Sequence, residues 1–242
     1  DVILPLQKKN HQQKFIGIGY IYDLQHIDIP SFFSKREIER RNQNFNDILN
    51  TFNFTITNSR FVKKKIIKAF SPFQSKIFAL PFLPFQENDF FFKEKDEIKK
   101  KYNIKDDFFI ISNKFWKHKN HIVAFKAFEK LIKYKPNFCL VCTGETYDSR
   151  FPDHFKNLSK KFRKLINKGY IKILNVIPKN DQINLIRCSL GLIQPTLYEG
   201  GPGGFSVYES ISIGKKVIIS DIPINKEIKK GNKVFFKANN KT

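Results

Sequence analysis

Residues 190–221 read LGLIQPTLYEGGPGGFSVYESISIGKKVIISD. An apolar run, LGLIQPTLY (190–198), leads into a glycine-rich turn. An amphipathic stretch, SVYESISIGK (206–215), follows, and a second apolar run, KVIISD (216–221), closes the segment. The order is strand, glycine loop, helix, strand, which is one βαβ unit of a parallel sheet. A glycine loop that opens a helix presents free backbone N–H groups and the positive end of the helix dipole, which suits a phosphate. Glu199 and Glu209 bracket the loop. Two carboxylates beside a phosphate site can accept hydrogen bonds from sugar or ribose hydroxyls. The alternative is a tight turn with a surface glutamate at each end, and a glycine loop alone does not decide between the two.

The neighbouring sequence repeats the same alternation. Upstream, DFFIISN (107–113), FCLVCTG (138–144) and YIKILNVI (170–177) read as strands. Between them HIVAFKAFEKLIKY (121–134), RFPDHFKNLSKKFRKLINKG (150–169) and PKNDQINLIRCS (178–189) read as helices, the second closed by Gly169 and the third opened near Pro178. Repeated strand–helix order implies a parallel sheet with right-handed crossovers, whose ligands bind at the carboxyl ends of the strands. Asn113, Thr143, Asn175 and Glu199 fall at or just after such ends. The first third alternates similarly. KFIGIGYIYDL (14–24), FTITNS (54–59) and KIFALPF (76–82) are expected strands. Ser34 and Ser59 are expected to cap the helices 35–52 and 60–70, and Pro30 disfavours helix at Ile29. Residues 83–105, with proline, charge and a short basic helix, read as the connection between two domains, packed down by Phe90 to Phe92. The expected division is 1–82, 83–105 and 106–242.

The totals narrow the class. A chain of 242 residues can build one large or two modest domains. It contains no methionine, so it is expected to be a fragment or a processed product. The opening residues DVILPLQKKN lack an apolar signal region, and no apolar run approaches the roughly 18–20 residues of a membrane span. A soluble, cytoplasmic protein is expected. The net charge of +22 raises a nucleic-acid partner, but the lysines are spread along the whole chain and no nucleic-acid motif is present. Peripheral contact with an anionic membrane fits the charge better than a dedicated nucleic-acid site. Cys139 and Cys142 have C-x-x-C spacing within a strand, which sends them to opposite faces, and Cys188 has no partner in sequence. A disulfide framework or zinc site is therefore not expected, and a reducing compartment fits.

With these segments assembled, the chain resembles the family four glycosyltransferases, also called glycosyl transferases group 1, retaining enzymes that use nucleotide sugars. Four segments carry the resemblance: SNKFWKHKN (112–120), LNVIPKNDQINLIRCS (174–189), QPTLYEGGPGGFSVYESISIGKKVIISDIPINKEI (194–228) and, more distantly, YIYDLQHIDIPSFFS (20–34). The resemblance implies an α/β fold of GT-B type, with two Rossmann-like domains facing a cleft. The N-terminal, acceptor-side domain would be incomplete and the C-terminal domain would bind the nucleotide sugar and lack its last helix. Two departures stand out. Nine residues separate Glu199 from Glu209 where the family often has seven, and Lys114 stands where it usually has arginine, keeping the charge but not the bidentate fork.

The resemblance also assigns roles. Lys114 and Lys119 would neutralise the leaving diphosphate, helped by N–H donors of Gly200, Gly201, Gly203, Gly204, Phe205 and Ser206, so that neither a metal nor another cofactor is required. Glu199 would hold hydroxyls of the donor sugar and stabilise positive charge in the transition state, and Glu209 would accept from the ribose. Asn175, Val176 and Ile177 would read the base, with Asn113, Thr143 and Gly144 completing the donor pocket. His26, between Asp23 and Asp28, could move a proton or bind substrate. A loop histidine bonded to backbone, or a metal site with the two aspartates, are its alternatives. His118 is read as a pocket wall, His121 as a helix-start residue and Trp116 as core. The expected partners are a nucleotide-sugar donor and a glycan or lipid-linked acceptor. The other readings are a basic nucleotide- or nucleic-acid-binding module without turnover, and an epimerase or phosphorylase on the same scaffold.

Overall fold

The computed structural model describes residues 2–6, 16–81 and 92–238. These form two compact units. The first holds the described residues up to Pro81 together with Tyr198–Gly204 and Pro223–Glu227, and the second holds the remainder.

The first unit is built on four parallel strands, β1 (Val2–Leu6), β2 (Ile16–Tyr20), β3 (Phe54–Thr57) and β4 (Lys76–Ala79), in that spatial order. β1 was not among the expected strands: VILPL is short and carries a proline, which masks its strand character. β2 is shorter than expected, because the chain turns after Tyr20 into α1 (Gln25–Asp28) and a 3-10 turn at Pro30–Phe32. Pro30 enforces the break, and Ile29 leaves the helical region at φ −133°. α2 (Lys35–Thr51) and α3 (Arg60–Phe70) start where their serines predict. Ser34 Oγ accepts from Glu37 N and Ser59 Oγ accepts from Val62 N. Register places Gly19, Thr55 and Ile77 on one face of the sheet, where a Cβ at Gly19 would lie 2.7 Å from Ile48 of α2. The other face carries Ile16, Phe54 and Phe78, all exposed.

The second unit has six parallel strands in the order β10-β9-β8-β5-β6-β7. They are β5 (Asp107–Ser112), β6 (Phe138–Thr143), β7 (Ile171–Ile173), β8 (Gly191–Gln194), β9 (Val217–Ser220) and β10 (Lys233–Phe236). β5 is first in sequence and lies centrally, with β6 on one side and β8 on the other. This is the doubly wound Rossmann order, and the strand order reverses between β5 and β8. Helices cover both faces. Ile98 of α4 (Lys95–Lys101), Leu185 and Ile186 of α8 (Lys179–Cys188) and Val207 of α9 (Gly204–Ser212) share one core with Phe108, Ile110, Val141, Leu192 and Ile219. Phe125 and Phe128 of α5 (His121–Leu131), Leu158 of α6 (His154–Lys161) and Leu165 of α7 (Arg163–Asn167) share the other with Ile111, Leu140 and Ile171. Cys139 falls in the first core and Cys142 in the second, as strand alternation requires, and both thiols are free. Burial raises the Cys139 thiol to about 11 and pushes Cys142 higher still.

Several expected boundaries move. The 150–169 helix is two helices, broken at Phe162, whose backbone leaves the helical region. The strand expected over 170–177 stops at Ile173, because Asn175 adopts the left-handed region at φ +55°. β10 was not anticipated. The connection expected at 83–105 lies partly outside the described residues, as do Phe90 and Phe91. From Lys95 onward it is helix α4 in the second unit, and Arg187 sits 5.1 Å over the ring of Phe92.

Candidate functional site

In the second unit a pocket of about 480 Å³ opens at the carboxyl ends of β5 and β6. Ser112, Asn113 and Lys114 line it from the end of β5, Thr143, Gly144 and Glu145 from the end of β6, Val176 and Ile177 from the segment after β7, and Gln182 from α8. It lies beside the point where the strand order reverses, which is where open parallel sheets hold ligands. The structure thus brings Asn113, Lys114, Thr143, Gly144, Val176 and Ile177 around one cavity. Asn175 supports it from behind, since its carbonyl accepts from Gly144 N at 2.8 Å.

Two features make this pocket a built one. Gly144 sits at φ +133°, and a Cβ there would lie 2.3 Å from the carbonyl oxygen of Asn113. Only glycine lets the two strand ends approach so closely. The Asn113 side chain points both amide atoms into buried space, and neither has a hydrogen-bond partner among the described residues. A buried amide without partners carries a desolvation cost that a ligand can relieve. Lys114, half exposed, is held 2.8 Å from Glu145 and lies 4.9 Å over the Trp116 ring. Val176 is 74% exposed at the rim, while Ile177 packs back onto the core.

Glu209 stands behind this wall on α9. It is 7% exposed, and Lys179 Nζ donates to its Oε1. Lys179 also donates to Gln182 Oε1 at 3.2 Å, Gln182 Nε2 donates to Ser112 Oγ at 2.6 Å, and Ser112 Oγ shares a hydrogen bond with Thr143 Oγ1 at 3.0 Å. A continuous polar chain therefore runs from Glu209 to the pocket. Lys179, Gln182, Ser112 and Glu145 were not singled out in the sequence. The signal was available: Lys179 and Gln182 stand three apart in the first turn of a helix that follows a strand end. Lys119 lies on the 3-10 turn Lys117–Lys119 and does not line this cavity.

The glycine turn belongs to the first unit. Its shape is set by three fastenings there. Tyr198 Oη accepts from Leu24 N at 2.8 Å, a Cβ on Gly200 would lie 2.7 Å from the Tyr22 carbonyl, and Gly203 N donates to Asn225 Oδ1 at 2.9 Å. Glu199, between the first two, is 9% exposed. Gly203 and Gly204, the latter the first residue of α9, both take positive φ, and Gly201 is buried beside them. Burial holds the Tyr198 phenol well above its ordinary range. At the start of α9 Phe205 is exposed, and the carbonyl of buried Ser206 accepts from Ser210 Oγ.

The histidines resolve differently. His26 is bonded to a side chain rather than to backbone: its Nε2 meets Asn42 Oδ1 at 2.9 Å, with Phe45 and Phe33 edge-on. Burial lowers its basicity, and Nδ1 has no partner among the described residues. Asp28 pairs with Lys65, and Asp23 faces Arg41 at 3.5 Å, so both flanking aspartates already have cations. His118 is buried with its ring 5.6 Å from Trp116, and its carbonyl accepts from Leu197 N. His121 is the first residue of α5, as expected from the sequence. It is fully buried and stacks on Phe115 at 4.1 Å. Desolvation drives both to low values, about 2 for His118 and about 3 for His121, so both rings are neutral.

A family model for glycosyl transferases group 1 matches residues 94–242. A search of curated proteins found no match. Solved structures similar to the chain include a sucrose-phosphate synthase from Thermosynechococcus elongatus, at 15% identity and TM-score 0.67, covering 87% of this chain and 51% of that one. The Anabaena protein HepE, crystallised with UDP and glucose, matches at 15% identity and TM-score 0.68, over 93% and 58%. A UDP-forming trehalose-phosphate synthase from Burkholderia xenovorans, in complex with glucose-6-phosphate, matches at 9% identity and TM-score 0.69, over 93% and 57%. The chain thus spans somewhat more than half the length of these structures. The structural similarity covers most of the chain, and the family model takes in well over half of its residues: the chain belongs to the glycosyl transferases group 1 family and has an α/β fold of GT-B type.

Proposed function

We propose that the whole protein transfers a sugar from a nucleoside-diphosphate donor to a hydroxyl of a glycan or lipid-linked acceptor, with retention of configuration. The observation that carries this reading is the pocket beside the reversal point of the second sheet, with an Asn113 amide in its wall that has no hydrogen-bond partner among the described residues. The family membership supports a transferase, and the UDP bound by HepE supports a nucleotide in such a unit.

Transfer breaks the bond between the anomeric carbon and a diphosphate oxygen, which leaves with the electron pair. Cations and N–H donors on the leaving group stabilise that charge as it develops. Lys114 and Lys119 supply the cations in this reading, and Phe205 and Ser206 supply donors at the start of α9, the N–H groups of Gly203 and Gly204 being taken by Asn225 Oδ1 and the Pro202 carbonyl; the chemistry calls for no metal. Glu199 holds donor-sugar hydroxyls and Glu209 the ribose. Val176 at the rim and Ile177 in the wall face the base, with Asn175 holding that segment in place. His26, whose Nδ1 has no hydrogen-bond partner among the described residues, takes part on the acceptor side in this reading. In this reading the protein works in the cytoplasm, and its charge of +22 favours peripheral contact with an anionic membrane face.

The test uses the full-length protein with radiolabelled UDP- and GDP-sugars, and product analysis by anomeric configuration. Labelled product of the donor's configuration, lost in Glu199→Ala and in Lys119→Ala, supports the reading. Full activity in either variant, or conversion of the donor to an epimer without transfer, overturns it.

A further inference from the structure

We infer that Lys179 is a positioning residue for the ribose: it holds Glu209 aimed, and so sets the preference for a donor with both ribose hydroxyls. The inference rests on the reading of the second unit's pocket as a nucleotide site and adds a residue and a specificity to it.

Glu209 is a nearly fully buried carboxylate on the middle of α9. A buried carboxylate is held in place only where hydrogen bonds or a counter-charge fix it. Among the described residues its Oε1 has Lys179, and its Oε2 is buried with no hydrogen-bond partner. One oxygen is therefore fixed by a cation and the other is left as an unused acceptor. A vicinal diol supplies the donor that such an oxygen lacks. Lys179 is half exposed, so its ammonium reaches buried Glu209 while remaining in contact with solvent.

The same lysine is tied to the pocket. Its second hydrogen bond goes to Gln182, whose amide then donates to Ser112 Oγ in the pocket wall. The amide of Gln182 is thereby oriented, with its oxygen toward Lys179 and its nitrogen toward the cavity. Removing the ammonium frees both partners at once: Glu209 loses its charge partner and Gln182 loses the bond that sets its orientation. Arginine in place of lysine keeps the charge and can keep both bonds. Methionine keeps the length and apolar stem but neither bond.

The experiment is a calorimetric titration of the protein with UDP and GDP, and with their 2′-deoxy and 3′-deoxy analogues. It is run on wild type, Lys179→Met and Lys179→Arg, with circular dichroism to establish that each variant is folded. Wild type is expected to bind the ribonucleotide about tenfold or more tightly than at least one deoxy analogue, as a hydrogen bond to a charged group warrants. In Lys179→Met that preference is expected to fall below about threefold, and Lys179→Arg is expected to restore most of it. A folded Lys179→Met that discriminates as wild type does overturns the role of Lys179 while leaving the nucleotide pocket standing. Wild type that binds no nucleoside diphosphate overturns the pocket reading and this inference together.

Discussion

At the scale of single residues, the two strongest statements concern a glycine and a histidine. Gly144 is fixed by geometry: a methyl group at 144 collides with backbone, and backbone cannot rotate aside as a side chain can. Gly144→Ala is expected to destabilise the second unit by about 2–4 kcal/mol and to abolish nucleotide binding. Urea denaturation and titration of the variant measure both effects. His121 and His118 make stability depend on pH. Their unfolded values lie near 6.5 and their folded values near 3 and 2, so between these limits the unfolded chain binds protons that the native state refuses. Their contribution is complete above about pH 6.5 and is lost as pH falls below it, at up to about 1.4 kcal/mol per pH unit for each ring. The urea midpoint is expected to drop between about pH 7.5 and about pH 5. His121→Phe, which preserves the stack on Phe115, is expected to make that drop shallower. An unchanged slope would contradict the buried, neutral assignment of His121. The burial of His121 was not legible in sequence, because HKNH reads as a polar run at a helix start. The ring is apolar enough, once neutral, to stack on Phe115 and fill the second core.

At the scale of elements, caps and periodicity were legible and irregular backbone was not. Ser34 and Ser59 cap their helices as local chemistry requires, and Cys139 and Cys142 take opposite faces because a strand alternates. Asn175 ended its strand early because one left-handed residue breaks extended backbone, and no pattern in YIKILNVI announces it. A further cap comes from far along the chain: the Glu227 carboxylate accepts from Arg60 N at 3.0 Å and Phe61 N at 2.5 Å, at the N-terminus of α3. A carboxylate there satisfies two otherwise orphaned donors and complements the helix dipole. Glu227→Ala is expected to cost about 1–2 kcal/mol. A stability matching wild type in urea would show that solvent serves those N–H groups equally well.

At the scale of the whole molecule, the alternation of strands and helices specifies the parallel α/β architecture of both units, since right-handed crossovers leave few other arrangements. The candidate site was legible in part. Strand-end positions pointed to Asn113 and Thr143, but the polar chain from Glu209 through Lys179 and Gln182 depends on side chains meeting across three elements. Spacing within one segment cannot reveal that. The first sheet has one further consequence. Parallel sheets are normally covered on both faces, yet Ile16, Phe54 and Phe78 are exposed on one face of this one. The 242-residue chain is therefore expected to self-associate in concentrated solution, and Phe54→Ser with Phe78→Ser is expected to reduce that, as light scattering would report. Association undiminished by the double substitution would place the sticky surface elsewhere.

The central claim is that the second unit holds a nucleoside diphosphate in the pocket walled by Asn113, Lys114, Gly144, Ile177 and Gln182. The most direct measurement is calorimetric titration of the chain with UDP and GDP, beside Glu209→Ala and Asn113→Ala. Saturable binding of at least one nucleotide, weakened about tenfold or more in both variants, is the predicted result. No binding of either nucleotide, or binding indifferent to both substitutions, would contradict it.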